Sequence, residues 1–146
     1  MSKAKPYLDL LEKHREELSN FPIAYAFDEK QVEQALKKLG ATREEVVTVF
    51  GHGDIVKKED APKFLQMLKR HADEIRELIK DKDIAYGAFL YEMDNHEYCI
   101  NYDGDGDVLG CFGLNFEQLK EMDLEVAYQL ARREHMRKAH EEWEII

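Results

Sequence analysis

Two β-rich runs lie among segments with helical periodicity, and this order strongly limits the folds open to the chain. Residues 21–27 are aromatic and largely apolar, and residues 46–50 are mostly β-branched, with Ile55-Val56 following a tight turn at residues 51–53. Pro22 limits the first run to a sheet edge or to the start of a strand, because proline lacks the backbone donor that a central strand needs. The sequence therefore predicts an α+β fold, a small antiparallel three-stranded sheet packed by several helices.

Helix signals flank these runs on both sides. Asp28 and Gln31 have the spacing of a capping box, and Gly40 closes the helix that they open. The other predicted helices run from Pro6 to Asn20, from Pro62 to the charged block at 80–83, over 84–98, briefly over 108–112, from Asn115, and from a cap at Asp123 to about Trp143. Residues 101–107 are predicted to be an acidic loop punctuated by glycine.

Length and composition bound the class of protein. The chain has 146 residues, 44% of them hydrophobic, with no low-complexity linker, so one compact domain spanning 1–146 is expected. No apolar run approaches the length of a membrane span, and residues 1–6 are polar rather than signal-like. With only two cysteines, Cys99 and Cys111, we expect reduced thiols and a cytoplasmic protein without membrane contact.

The negative charge is concentrated in one stretch. Residues 83–131 hold eleven acidic residues against one base, Lys120, which accounts for the whole net charge of −10, while the remaining residues balance. The same stretch carries eight of the fifteen aromatic residues. A field of one sign repels nucleic acid and attracts basic surfaces, and aromatic side chains can anchor a contact. The pattern indicates a protein that binds a basic partner and no nucleic acid directly.

No motif predicts a catalytic residue, a metal site or a cofactor. Residues 101–108 resemble an EF-hand loop, but Phe112 stands where the closing bidentate glutamate is needed, so an acidic turn is the favoured interpretation and a weak metal site the alternative. His96 near Cys99 has the residue types of a nucleophile and its base, yet both cysteines are as well explained as small buried side chains. We therefore expect no enzyme.

Several segments in order carry a resemblance. Residues 21–27, Gly51-His52-Gly53-Asp54-Ile55-Val56, Asn95-His96-Glu97-Tyr98 and Leu109-Gly110-Cys111-Phe112-Gly113-Leu114 together resemble a family of small uncharacterised acidic proteins of phages and gut-bacterial mobile elements. The resemblance implies a context rather than catalytic residues. Small phage proteins of this kind often inhibit host defence, anti-CRISPR proteins among them.

The functional expectation joins the charge pattern to that context. We expect a non-enzymatic protein of the host bacterial cytoplasm that inhibits a basic, nucleic-acid-handling partner, most concretely an anti-CRISPR inhibitor of a Cas nuclease or its guide-loaded complex. The alternative is a self-associating structural or regulatory module in which the charge serves solubility. The residues predicted to contact the partner are Glu92, Asp94, Glu97, Tyr98, Tyr102, Asp103, Asp105, Asp107, Phe116, Glu117 and Glu121.

Overall fold

The computed structural model of the protein describes residues 3–51, 53–96 and 104–145, with side chains up to residue 140. Within that part of the chain, the α-helices are α1 (Lys5–Asn20), α2 (Glu29–Leu39), α3 (Ala61–Leu78), α4 (Lys82–Asn95), α5 (Gly104–Gly110), α6 (Phe116–Glu121) and α7 (Glu125–Ile145). The strands are β1 (Ile23–Tyr25), β2 (Val46–Val47) and β3 (Asp54–Lys57). The predicted α+β class is confirmed.

The chain divides into two compact units whose boundaries fall inside α1 and α3. One unit comprises Met1–Lys13 with Ala72–Ile146, and the other comprises His14–His71. The prediction of one domain spanning 1–146 stays a prediction.

The smaller unit holds the sheet, in the order β1-β3-β2 with both pairs antiparallel. Strand β3 is central, and its adjacent residues Ile55 and Val56 point to opposite faces of the sheet. Ile55 is buried with Ala35 and Leu39 of α2, and Val56 is buried with Phe64 of α3. Ile23 of β1 pairs with Val56, so the strand that follows Pro22 lies at the edge, as the proline requires.

The strand predicted over 46–50 is shorter than expected because its second half turns toward Asp54. The buried carboxylate of Asp54 accepts hydrogen bonds from the amides of Val49, at 2.6 Å, and Phe50, at 3.2 Å. These amides are therefore satisfied by a side chain instead of a neighbouring strand. Gly51 and Gly53 complete the turn with φ angles of 74° and 84°, a region that favours glycine.

The caps predicted at Asp28, Gly40 and Asn115 are present. Asp28 accepts from the amide of Gln31 at 2.8 Å, and the Gln31 side chain accepts from the amide of Phe27 at 2.7 Å. Gly40 ends α2 in the left-handed conformation. At the start of α6, Asn115 accepts from the amide of Gln118 at 2.8 Å, and the Gln118 side chain accepts from the amide of Asn115 at 3.0 Å. Each device joins groups only a few residues apart, which is why it can be predicted from the sequence.

The larger unit is built on helix packing. Helix α4 packs against α7, and aromatic side chains form the centre of the core. Phe89 of α4 contacts Tyr128 of α7 at 5.3 Å and Phe112, which follows α5, at 5.0 Å between ring centroids. Tyr7 of α1 packs on Phe112 at 5.3 Å. Several aromatics of the acidic stretch are therefore core residues.

Gly87 of α4 allows a backbone crossing. A Cβ atom placed on Gly87 would lie 2.4 Å from the carbonyl carbon of Lys3 and 2.6 Å from the amide nitrogen of Ala4. The chain before α1 therefore crosses α4 at this residue. Glycine is a weak helix former, but it is required at this position because a side chain would collide with the backbone of Lys3 and Ala4.

Two predictions about local structure are wrong. Residues 104–107, expected to lie in a loop, form the first turn of α5, where Gly104, Val108 and Leu109 are buried. Burial of the Val108 and Leu109 side chains offsets the poor helix propensity of the glycines. Asp123 does not directly precede α7, which begins at Glu125; its φ angle is 58° and its carboxylate accepts from Lys82 instead.

No helix among the described residues is both long enough and apolar enough to cross a membrane.

Candidate functional site

Asp94, one of the predicted contact residues, is held in a local cluster with two bases of α7. Its carboxylate lies 2.6 Å from Nδ1 of His135 and accepts from Nζ of Lys138 at 2.7 Å. Burial raises the pKa of Asp94, but the hydrogen bonds from Lys138 and His135 outweigh that effect, and the pKa is lowered overall. Because Lys138 neutralises its charge, Asp94 contributes little to a long-range negative field.

Other acidic residues of the 83–131 stretch are also neutralised nearby. Asp123 pairs with Lys82 at 2.7 Å, and Asp83 lies 3.9 Å from Lys3. The hydrogen bond from Lys82 lowers the pKa of Asp123. The uniform negative charge read from the sequence is thus partly cancelled by bases that the fold brings in from outside the stretch.

Three of the predicted residues keep an exposed charge. Asp107 on α5 and Glu117 and Glu121 on α6 are exposed. Among the described residues, none of the three forms an ion pair. Glu117 and Glu121 are four residues apart on one helix, so the two carboxylates share a face. Their mutual repulsion is relieved when a cation approaches.

Phe116 lies beside these carboxylates at the start of α6. Its side chain is 51% exposed, and its ring packs edge-on against the buried ring of Tyr128 at 6.0 Å. The hydroxyl of Tyr128 donates to the half-buried Asp105 of α5. Tyr128 therefore connects α5 to α6 and supports an aromatic ring that remains open to solvent.

We define the acidic α5–α6 surface by the predicted residues that the structure retains there: Asp105, Asp107, Phe116, Glu117 and Glu121. Four further predicted residues lie outside the described residues: Glu97, Tyr98, Tyr102 and Asp103.

Glu92 lies in the interior of the protein and is therefore not part of the acidic α5–α6 surface. It is 6% exposed on α4, and its Oε2 atom lies 3.4 Å from Nε2 of His96, one turn further along. Sγ of Cys111 lies 3.3 Å from the same Nε2 atom and donates to the carbonyl oxygen of Asp107. The three side chains form a compact cluster in which every donor atom lies within 4.8 Å of the others.

The protonation of this cluster opposes a nucleophilic role for Cys111. Burial, followed by the nearby carboxylate of Glu92, raises the pKa of the Cys111 thiol to about 12. A reactive cysteine needs a lowered pKa, because the thiolate is the nucleophile. Burial and Glu92 also raise the pKa of Tyr7, so that phenol stays protonated beside the cluster.

Sequence reasoning paired His96 with Cys99, whereas the described structure brings Cys111 to His96. Cys99 lies outside the described residues. The proximity of Glu92 and His96 could have been predicted from the sequence, because residues four apart share a helix face. Nothing in the local sequence placed Cys111, fifteen residues further on, beside them.

Comparison with known protein families identifies the family of this chain. The model of a family of unknown function, DUF7659, matches residues 6–134. Neither the curated proteins nor the solved structures gave a match.

Proposed function

Since the chain belongs to the DUF7659 family of unknown function, which assigns no activity, we propose from its surface chemistry that it is a non-enzymatic binding protein. In this proposal the acidic α5–α6 surface binds a basic surface of a protein partner. The observation that carries it is the exposed Phe116 ring beside the carboxylates of Glu117 and Glu121, which form no ion pair among the described residues.

The physical roles of the two kinds of side chain differ. Carboxylates that have no local base steer a positively charged partner toward the surface and raise the association rate. Phe116 adds apolar area that is removed from water on contact, and its ring is held in place by Tyr128. Charge thus governs the encounter, and the aromatic ring contributes to the lifetime of the complex.

In its most concrete form, the partner is a Cas nuclease or its guide-loaded complex in the cytoplasm of a bacterial host. The resemblance to proteins of phages and mobile elements supports this form. Nucleic-acid channels are lined by Lys and Arg that contact phosphates, so an acidic surface can compete for them. The protein would inhibit by occupying such a channel.

The test compares two variants that each lose three negative charges. The first, D107N/E117Q/E121Q, removes charge from the acidic α5–α6 surface. The control, D73N/E33Q/E44Q, makes the same chemical changes at residues that are exposed elsewhere. Purified guide-loaded nucleases are assayed for DNA cleavage, and association with any inhibited nuclease is measured across a salt series.

We expect the surface variant to associate about tenfold more slowly at low salt, with a flatter salt dependence, because steering scales with local charge. The control should behave like the unmodified protein. F116A should instead shorten the lifetime of the complex. Equal association rates and equal salt dependences for the two triple variants would contradict a role for the acidic α5–α6 surface. If none of the tested nucleases is inhibited, the proposal that the partner is a Cas nuclease is wrong.

A second candidate function is self-association, which an apolar strip on α7 favours. Val126 and Leu130, one turn apart, are 69% and 47% exposed, and together with Tyr86 they line a groove of about 630 Å³. An apolar homodimer persists at high salt, whereas charge-steered binding weakens. Analytical ultracentrifugation of V126S/L130S in high salt distinguishes the two, because only a dimer built on this strip would dissociate.

A further inference from the structure

The cluster of Glu92, His96 and Cys111 lies outside the acidic α5–α6 surface, and the proposed function gives it no role. It combines a carboxylate oxygen, an imidazole nitrogen and a thiol sulfur from two helical regions. Glu92 lies in the last turn of α4, His96 directly follows that helix, and Cys111 directly follows α5. The carboxylate is buried, and buried charges are normally paired with a base or bound to a metal ion.

The separations of the donor atoms fit a single tetrahedral ion. Zinc bonds of ~2.3 Å to sulfur and ~2.0–2.2 Å to nitrogen or oxygen place tetrahedral donors about 3.6 Å apart for sulfur and nitrogen, and about 3.4 Å apart for nitrogen and oxygen. The observed separations are 3.3 Å between Sγ of Cys111 and Nε2 of His96, and 3.4 Å between that Nε2 and Oε2 of Glu92. The third separation, between Sγ of Cys111 and the carboxylate of Glu92, is no more than 4.8 Å.

We propose that Glu92, His96 and Cys111 form a binding site for a divalent transition-metal ion of the zinc class. Calcium and magnesium are disfavoured because they take oxygen ligands, whereas a set of sulfur, nitrogen and oxygen suits a borderline ion. Three protein ligands leave a fourth position for water or another ligand, as in open zinc sites. On binding, the ion displaces the proton of the Cys111 thiol to the buffer and bonds to its sulfur, so the raised pKa of this thiol in the metal-free protein adds to the cost of binding.

The ion would link the end of α4 to the end of α5. Because Cys111 directly follows α5, the same link would steady the helix that carries Asp107, part of the acidic α5–α6 surface. The site is nevertheless independent of the proposed function, because its ligands are not the residues that would contact a partner.

The experiment uses the full chain, reduced and stripped with a chelator, and Co²⁺ as the spectroscopic probe. It is carried out in the C99S background, in which Cys111 is the one remaining cysteine. Binding of Co²⁺ should produce a thiolate-to-cobalt charge-transfer band with tetrahedral d–d bands, saturating at one equivalent and displaced by Zn²⁺. C99S/C111S should lose the charge-transfer band.

Two further variants keep the test informative if C111S disturbs folding. E92Q preserves the size of the side chain, and His96 is at the surface, with 40% of its side chain exposed. H96A and E92Q should each weaken Co²⁺ binding at least about tenfold, because even residues in the outer shell of a metal site contribute 10–100-fold. H140A changes an exposed histidine elsewhere and should bind as tightly as the parent.

A thermal melt gives a second readout. Zn²⁺ should raise the melting temperature of C99S by more than that of C99S/H96A at the same concentration, because a ligand that binds the folded state stabilises it by mass action. The proposal is overturned if C99S gives no charge-transfer band, if the band survives in C99S/C111S, or if H96A and H140A bind Co²⁺ equally.

Discussion

Replacing Gly87 with alanine should destabilise the protein, although alanine is the better helix former. In an open helix interior the change would favour folding by about 0.8–1 kcal/mol. At Gly87 the added Cβ would lie 2.4 Å from the carbonyl carbon of Lys3, whereas carbon atoms in contact are about 3.5–4.0 Å apart. The chain at Lys3 and Ala4 would have to move by about 1 Å or more.

That movement is resisted because the same chain is anchored in the core. Ala4 is 6% exposed and Tyr7 is 1% exposed. Overpacking of a filled core costs about 1–3 kcal/mol. A contact with backbone atoms belongs at the upper end of that range, about 3 kcal/mol. After the gain of about 1 kcal/mol in helix propensity is subtracted, the free energy of unfolding should fall by about 2 kcal/mol. For a chain of this length the melting temperature should fall by about 4–8 °C.

Gly110 provides the matched control, since it also lies in a helix. A Cβ atom there would meet no atom within 4 Å. G110A should therefore leave stability unchanged or raise it slightly. Urea unfolding followed by circular dichroism, together with thermal melts of both variants, measures the difference. If G87A proves as stable as the parent or more stable, the close crossing at Lys3 and Ala4 is wrong.

Three further predictions concern charged groups. Asp54→Ala should lower the free energy of unfolding by about 1–3 kcal/mol, because two turn amides lose their acceptor, and urea unfolding measures this. Lys138 helps to lower the pKa of Asp94 in the folded protein, so Asp94 stabilises the fold at pH values above the ordinary aspartate pKa of about 3.9. This contribution disappears as the pH falls through the lowered pKa that Asp94 has in the folded protein. Melts of D94N and the parent should therefore differ near neutrality and converge in acid; a difference that persists in acid would refute this. Residues 101–107 should bind no calcium at micromolar concentration, since Phe112 replaces the closing glutamate, and calorimetry that detects such binding would prove this wrong.

Local chemistry made much of the fold predictable. The capping pairs at Asp28 and Asn115 use groups within four residues, and Pro22 forces an edge position through its missing donor. These effects act over one turn of chain and need no tertiary partner. The same reasoning failed at residues 104–107, where local propensity predicts a loop and burial of Val108 and Leu109 accompanies a helix.

The sequence by itself determined the α+β class, the order of most elements and the excess of acid in residues 83–131. Only the tertiary structure determined which acidic residues of that stretch lie beside a base. Lys3, Lys82 and Lys138 are far along the chain from their partners and pair with Asp83, Asp123 and Asp94, respectively. It also decided that Cys111 lies beside Glu92 and His96. Such pairs depend on how helices pack, and no spacing along the chain encodes that packing directly.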